Sequence, residues 1–269
     1  MRNAIVKDLV ILLIIFGFIW GIISFFPIFP EKLELLSVER EQELGEAYLE
    51  LLMKTSDFTE FESEMVDSVV GVVGTHLKEA LEDSDYDYSF LILDDQMINA
   101  FTLPGGNIII TTGLLEFCDT AEELASVIAH EMGHAEMRHV VSRLIKELGI
   151  AILSSGDQFV MGEVTRIITS TGFDREQEQD ADEFACALLE DAYIEPRTLA
   201  TFFRKLKEEE NNELLEKFEI VSTHPNFTSR IRNVLEYAPS EDFEALPLAI
   251  DWEAVQQQVL RGENGHQDQ

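Results

Sequence analysis

Apolar residues follow different patterns along the chain. The first pattern is an uncharged run from Leu9 to Phe29, LVILLIIFGFIWGIISFFPIF. At ~1.5 Å per helical residue it is long enough to cross a ~30 Å hydrocarbon core. The apolar part of a cleaved signal peptide extends over about 7–15 residues and ends in small residues, whereas this run ends in Phe25-Phe26-Pro27-Ile28-Phe29-Pro30. It predicts an uncleaved transmembrane helix and hence contact with a lipid bilayer. Arg2 and Lys7 precede the run, and Glu31, Glu34 and Glu39 follow it. That bias places the amino terminus in the cytoplasm and the remaining chain outside it, as a single-pass membrane protein with an extracytoplasmic domain, periplasmic in a Gram-negative bacterium.

Beyond residue 30 the period changes. Leu44, Tyr48, Leu51 and Leu52 within 38–53, then Val69, Val72, Val73 and Leu77 within 65–81, recur at helical spacing and predict two amphipathic helices. Short apolar runs come next. Tyr88-Ser89-Phe90-Leu91-Ile92-Leu93 predicts a strand, and Asn107-Ile108-Ile109-Ile110-Thr111 predicts another after the turn Leu103-Pro104-Gly105-Gly106. Thr120 with Glu123 three residues later forms a capping-box signature that opens a helix through Leu124, Val127 and Ile128 to about Leu148. Residues 149–171 read as an apolar helical cover, and Phe184, Ala185, Leu188 and Leu189 mark a further helix. The end of the chain, 261–269, is polar and reads as disordered. No Pro/Gly-rich linker divides the chain. The fold expected is α+β and mainly helical, with a small β-sheet, preceded by one transmembrane helix. Residues 1–30 form the cytoplasmic tip and anchor, 31–250 one domain, and 251–269 a polar tail.

Composition narrows the function. Among 269 residues, 19 Lys+Arg face 52 Asp+Glu, a formal net charge of −33, while 46% hydrophobic residues exclude an acidic disordered chain. So negative a surface repels phosphate backbones, which argues against nucleic-acid binding. Because residues 1–30 hold only Arg2, Lys7 and Asp8, the acidity belongs to the domain beyond them. Cys118 and Cys186 are too few for a disulfide scaffold and read either as one disulfide or as two buried thiols. His76, inside an apolar helix, reads as a packing residue.

The capped helix carries His130-Glu131-Met132-Gly133-His134, the H-E-x-x-H pattern. Positions i and i+4 share a helix face, so two imidazoles reach one metal ion while Glu131 stands beside it to take a proton. The bland alternative is a pair of solvated histidines. A catalytic zinc site takes three protein ligands as a rule, and Met137 and Val140 exclude the metzincin continuation. On a continuous helix His139 lies roughly 140° from His134 and 180° from His130 and points away, as a polar or supporting residue. Downstream, Glu178 and Asp182 are spaced i, i+4 in Asp174-Arg175-Glu176-Gln177-Glu178-Gln179-Asp180-Ala181-Asp182. One reading makes Glu178 a ligand and Asp182 the group that orients a ligand histidine; the other makes the whole stretch a solvated acidic face.

The order of motifs resembles that of the family-48 zinc metallopeptidases, H-E-x-x-H endopeptidases of the gluzincin kind that include BepA-like, Oma-type and CAAX prenyl proteases. The likeness rests on Asn99-Ala100-Phe101-Thr102-Leu103-Pro104-Gly105-Gly106 (N-A-F-x-L-P-G-G), on His130 to His139 (H-E-x-x-H-x-x-x-R-H), on Arg175 to Asp182 (R-x-x-E-x-x-A-D), and on Thr223-His224-Pro225 with Arg230. It extends to Glu39–Gly45 and covers roughly 36–235. Asp174 departs from the family's usual Ser and puts only local capping in question. The resemblance implies a zincin-like metalloprotease domain, one zinc ion held by His130, His134 and Glu178, and Asp182 in support. It implies Glu131 as general base in hydrolysis of polypeptide substrates, with Asn107, Ile108, Ile109 and Ile110 as the edge strand bordering the cleft, on which an extended substrate pairs. His224 and Arg230 near the zinc admit two roles: donors to the oxyanion, or, for His224, a fourth ligand that holds the enzyme off. The implied substrates are unfolded or misassembled envelope proteins. The competing class is a chaperone-like or binding protein on the same scaffold.

Overall fold

Helix α1 (Val38–Thr55) buries Tyr48 and Leu52, and α2 (Glu64–Ala80) buries Val66, Val70, Val73 and Leu77, one apolar stripe each at helical spacing. The structure is a computed structural model that describes residues 36–55, 59–81, 83–149, 163–164, 166–167, 172–209, 220, 223–224 and 226–266. The membrane span expected over Leu9 to Phe29 lies outside the described residues, as does most of the apolar cover 149–171. Among the described residues no helix is long and apolar enough to cross a membrane. The elements from Val38 onward form one compact unit, mainly helical with one small sheet.

The sheet contains β1 (Ser89–Leu93), β2 (Ala100–Leu103) and β3 (Asn107–Thr111) in the order β1-β3-β2. β1 pairs with β3 in parallel, Ser89 opposite Asn107. β2 pairs with β3 antiparallel, Ala100 opposite Ile110, across the Pro104–Gly106 turn. This corrects one expectation. Asn107, Ile108, Ile109 and Ile110 belong to the central strand, whose two edges are both paired, so they offer no edge to a substrate. The cause is burial on both faces: Ile108, Ile109 and Ile110 all have 0% exposure, and a continuous apolar run is the mark of an interior strand. The edges are β1 and β2.

A short α3 (Thr112–Phe117) leads to α4 (Ala121–Glu136), whose side chains are almost all buried. Thr120 Oγ1 caps it by accepting from Glu123 N at 3.2 Å, while the Glu123 carboxylate accepts from Asp119 N at 2.8 Å. The helix expected to continue to about Leu148 breaks at Arg138, which adopts φ 55°, ψ 33°, and a separate α5 (His139–Leu148) follows. α6 (Arg175–Asp191) packs along α4, and α7 (Arg197–Glu209) and α8 (Phe227–Glu236) complete the surround. Contact between α4 and α6 depends on Gly133: a Cβ there would stand 3.1 Å from both Cα and O of Ala181. The stretch read as a polar tail differs from expectation, because Trp252–His266 form α9. Trp252, Val255 and Val259 are buried on α2 and α3, and Trp252 Nε1 donates to Cys118 O at 2.7 Å.

Candidate metal centre

Three elements far apart in sequence converge on one point. α4 brings His130, Glu131 and His134, α6 brings Glu178 and Asp182, and α8 with the segment entering it brings Arg230 and His224. All seven are buried. His130 Nε2 lies 3.1 Å from His134 Nε2 and 3.3 Å from His224 Nδ1, which is 3.0 Å from Glu178 Oε1. Glu178 carboxylate oxygens stand 3.7 Å from His130 Nε2 and 3.8 Å from His134 Nε2. One ligand atom from each of His130, His134, Glu178 and His224 falls within 4.8 Å of the others. A tetrahedral zinc with bonds of ~2.0–2.1 Å spaces its ligand atoms ~3.3 Å apart, so this donor set fits the metal implied by the sequence.

The electrostatics favour the same use. Burial, reinforced by the neighbouring His130 and His224, pushes His134 well below its ordinary pKa, and neutral imidazole is the form that ligates. Burial alone would raise the pKa of Glu178, yet His224 and Arg230 outweigh it and lower the carboxyl. For His224 burial acts downward, and the carboxylates of Glu178 and Glu131 carry it upward. Asp182 Oδ1 lies 3.0 Å from His130 Nδ1. Despite burial, Arg230 holds the Asp182 carboxyl at about 2.

Arg230 is committed on every side. Its Nε and Nη2 donate to Asp182 at 2.8 and 2.6 Å; Nη1 meets Glu178 Oε2 at 2.5 Å and the His224 carbonyl at 3.4 Å. Its guanidinium also stacks over Phe203, 4.1 Å from the ring centroid. This geometry aims its donors at the centre's own carboxylates.

Glu131 is held by a residue that sequence reasoning missed. Thr102 Oγ1 on β2 lies 2.8 Å from Glu131 Oε2 and 2.9 Å from its carbonyl oxygen, whereas Glu131 Oε1 is buried without a hydrogen bond, 3.5 Å from His224 Nε2. Thr102 occupies the open position of N-A-F-x-L-P-G-G, so the motif itself gave no signal. His139 also departs from expectation: the break at Arg138 turns it back until its Nδ1 is 2.9 Å from His134 Nδ1. Asp174, the odd residue of the α6 motif, caps that helix through Glu176 N and Gln177 N in a full capping box. Cys118 and Cys186 are free and buried, and His76 Nε2 bonds Ala192 O at 2.9 Å as a packing residue.

The profile of peptidase family M48 matches residues 68–238. Among curated proteins the chain is similar to the mitochondrial metalloendopeptidase OMA1 of Arabidopsis thaliana, 35% identical over 161 residues that cover 56% of this chain and 33% of that protein. It is similar to the beta-barrel assembly-enhancing protease of Escherichia coli K12, 25% identical over 213 residues, 73% of this chain and 43% of that protein. Metalloprotease LoiP of the same organism is 30% identical over 148 residues, 51% of this chain and 57% of that protein. The chain thus spans between a third and just over half the length of these relatives.

Proposed function

The chain belongs to peptidase family M48, and from that premise we propose that it is a zinc-dependent metalloendopeptidase with His130, His134 and Glu178 as ligands and Glu131 as general base. The observation that carries this reading is the convergence of buried donor atoms within 4.8 Å of one another beside a carboxylate oxygen, Glu131 Oε1, left without a hydrogen bond. Zinc, when bound, supplies Lewis acidity that polarises a peptide carbonyl and makes water acidic. The chain's own residues supply the rest. Thr102 anchors Glu131 Oε2, so Oε1 is the oxygen that takes the proton from the attacking water and returns it to the leaving amine. Asp182 keeps the proton of His130 on Nδ1 and so turns the Nε2 lone pair inward. Arg230 neutralises Asp182 and Glu178 and is a positioning residue.

Of the two roles open to His224, its place favours the plug. The ring stands between Glu178 and Glu131, where water and carbonyl must come. Substrate entry therefore requires His224 to swing out. We place an extended substrate along β2, the outer strand beside Glu131, where pairing through the main chain reads little sequence. Such pairing, the apolar run 9–29 as a membrane anchor and the likeness to a beta-barrel assembly-enhancing protease support unfolded or misassembled envelope proteins as substrates, cleaved outside the cytoplasm.

The test uses the full chain in detergent, wild type beside Glu131→Gln, with zinc content and casein cleavage measured on both. Zinc in both forms with cleavage in wild type alone is expected. Zinc without cleavage in either, across several unfolded substrates, would favour the chaperone-like class. His224→Ala then separates its roles: faster cleavage supports the plug, slower cleavage the oxyanion donor.

A further inference from the structure

His130 and His134 sit one turn apart on the same helix, yet their surroundings differ in kind. His130 is held by charge: Asp182 on its Nδ1 and the Arg230 guanidinium at 3.2–3.3 Å from its ring nitrogens. His134 Nδ1 meets instead the Nδ1 of a second imidazole, His139, at 2.9 Å. Its ring face lies against Phe173, with centroids 3.8 Å apart and planes 19° from parallel. The Arg143 guanidinium lies 4.0 Å from the same Phe173 centroid. Two groups that close cannot share one face of a phenyl ring, so Phe173 is sandwiched between Arg143 and His134. The backbone of Phe173 is tied in turn to the segment bearing His224, its N donating to Thr223 O at 3.1 Å.

His139 and Arg143 are i and i+4 on α5 and therefore share a face. α5 reaches the centre because Arg138 adopts a left-handed backbone between it and α4. Glu41 of α1, buried at 2% exposure, holds that residue by accepting from Arg138 Nε at 2.9 Å and pairing with Nη2 at 2.8 Å. The other Glu41 oxygen accepts from Gly105 N at 3.4 Å.

We propose that His139 and Phe173, the latter clamped by Arg143, are positioning residues that set the tautomer and the tilt of the ligand His134. The proposal rests on the reading of His130, His134 and Glu178 as metal ligands. For His134 to present its Nε2 lone pair, its Nδ1 must carry the proton. His139 Nδ1 is then the acceptor, and the His139 proton sits on Nε2. Most ligand histidines donate to a carboxylate or carbonyl; an imidazole acceptor fixes direction without adding negative charge. Phe173 fixes what a single hydrogen bond leaves free, rotation of the ring about that bond, and the cation stacked on its far side keeps Phe173 in place.

The experiment uses the full chain in detergent. Zinc affinity is read by competition with a chromophoric chelator, and coordination geometry by the visible absorption of the cobalt(II)-loaded protein. His139→Leu, which removes the acceptor, is expected to weaken zinc binding about 10- to 100-fold. His139→Asn, whose side-chain oxygen can accept, is expected to restore most of it. Phe173→Leu is expected to shift the cobalt bands, and Phe173→Tyr to leave them in place. Wild-type affinity in His139→Leu, or equal losses in His139→Leu and His139→Asn, would overturn the tautomer role; an unshifted cobalt spectrum in Phe173→Leu would overturn the tilt role. Circular dichroism of the metal-free forms verifies folding, and the Leu/Asn comparison at His139 decides the matter even where a Phe173 variant unfolds. If wild type itself takes up neither metal, the ligand reading falls first and the proposal with it, an outcome distinct from variants that match a metal-binding wild type.

Discussion

Replacing Arg230 by Met should damage the fold before it touches chemistry. The guanidinium is 3% exposed and neutralises two carboxylates that are each 2% exposed, Asp182 through two hydrogen bonds and Glu178 through one contact. Holding Asp182 at about 2 instead of its ordinary 3.8 is worth on the order of 2 kcal/mol. Removing the cation also strands both buried charges, which raises the expected loss to about 3–5 kcal/mol. For a domain of this size that corresponds to a fall in melting temperature of about 10 °C, measured by differential scanning calorimetry on the zinc-free protein.

The pH dependence carries its own sign. In wild type the folded Asp182 carboxyl is depressed, so its contribution is complete above pH ~4 and is lost as pH falls from there toward 2. In Arg230→Met the hydrogen bond from His130 still lowers that carboxyl, but the guanidinium that outweighs burial is gone and burial carries it upward, so protonation relieves the variant and its deficit should shrink between pH 7 and pH 4. A variant that melts within about 2 °C of wild type, or whose deficit is the same at both pH values, would refute the account of Arg230 as the counter-charge of the centre.

Other consequences are checked more simply. Gly133→Val should separate α4 from α6, since even a Cβ meets Ala181 backbone at 3.1 Å; we expect a loss of about 1–3 kcal/mol by calorimetry together with weaker zinc binding as Glu178 recedes. Trp252→Ala should cost about 3–5 kcal/mol, because the indole is buried and bonded to Cys118 O; a melting temperature equal to wild type would return α9 to the status of a tail. Burial raises both thiols, Cys186 to about 12, so Ellman's reagent at pH 8 should find almost no reactive thiol in the native chain and two per chain in guanidinium.

Local chemistry made much of this legible. Helical periods, the capping residue Thr120 and the H-E-x-x-H spacing each act within one turn, and α1, α2 and α4 start where those signals stand. The centrality of β3 was legible in principle, since three consecutive isoleucines have no solvent face to offer. The Trp252, Val255 and Val259 stripe of α9 was legible too, though the polar residues around it hid it. The break at Arg138 was not. Neither Gly nor Pro marks it, and the left-handed backbone of Arg138, which costs on the order of 1–2 kcal/mol, is stabilised by Glu41 from a different helix. A conformation decided by a partner so far along the chain leaves no trace in a window of ten residues, which is why His139 was expected to point away from His134. The meeting of Asp182 with Arg230 is of the same kind and was approached only through resemblance.

Charge ties the centre back to the composition of the chain. An excess of acidic residues on a surface repels anions and little more, but Glu131, Glu178 and Asp182 are withdrawn from water, where an uncompensated negative charge is costly. Arg230 pairs with two of them, Asp182 and Glu178, but carries a single positive charge, and Glu178 and Glu131 together pull His224 upward against its burial. A divalent cation meets that demand better than a proton can, because it leaves the imidazoles of His130 and His134 neutral and gathers their lone pairs at one point. The acidity that argues against nucleic acid at the surface thus becomes, inside α4 and α6, the reason a dication belongs there.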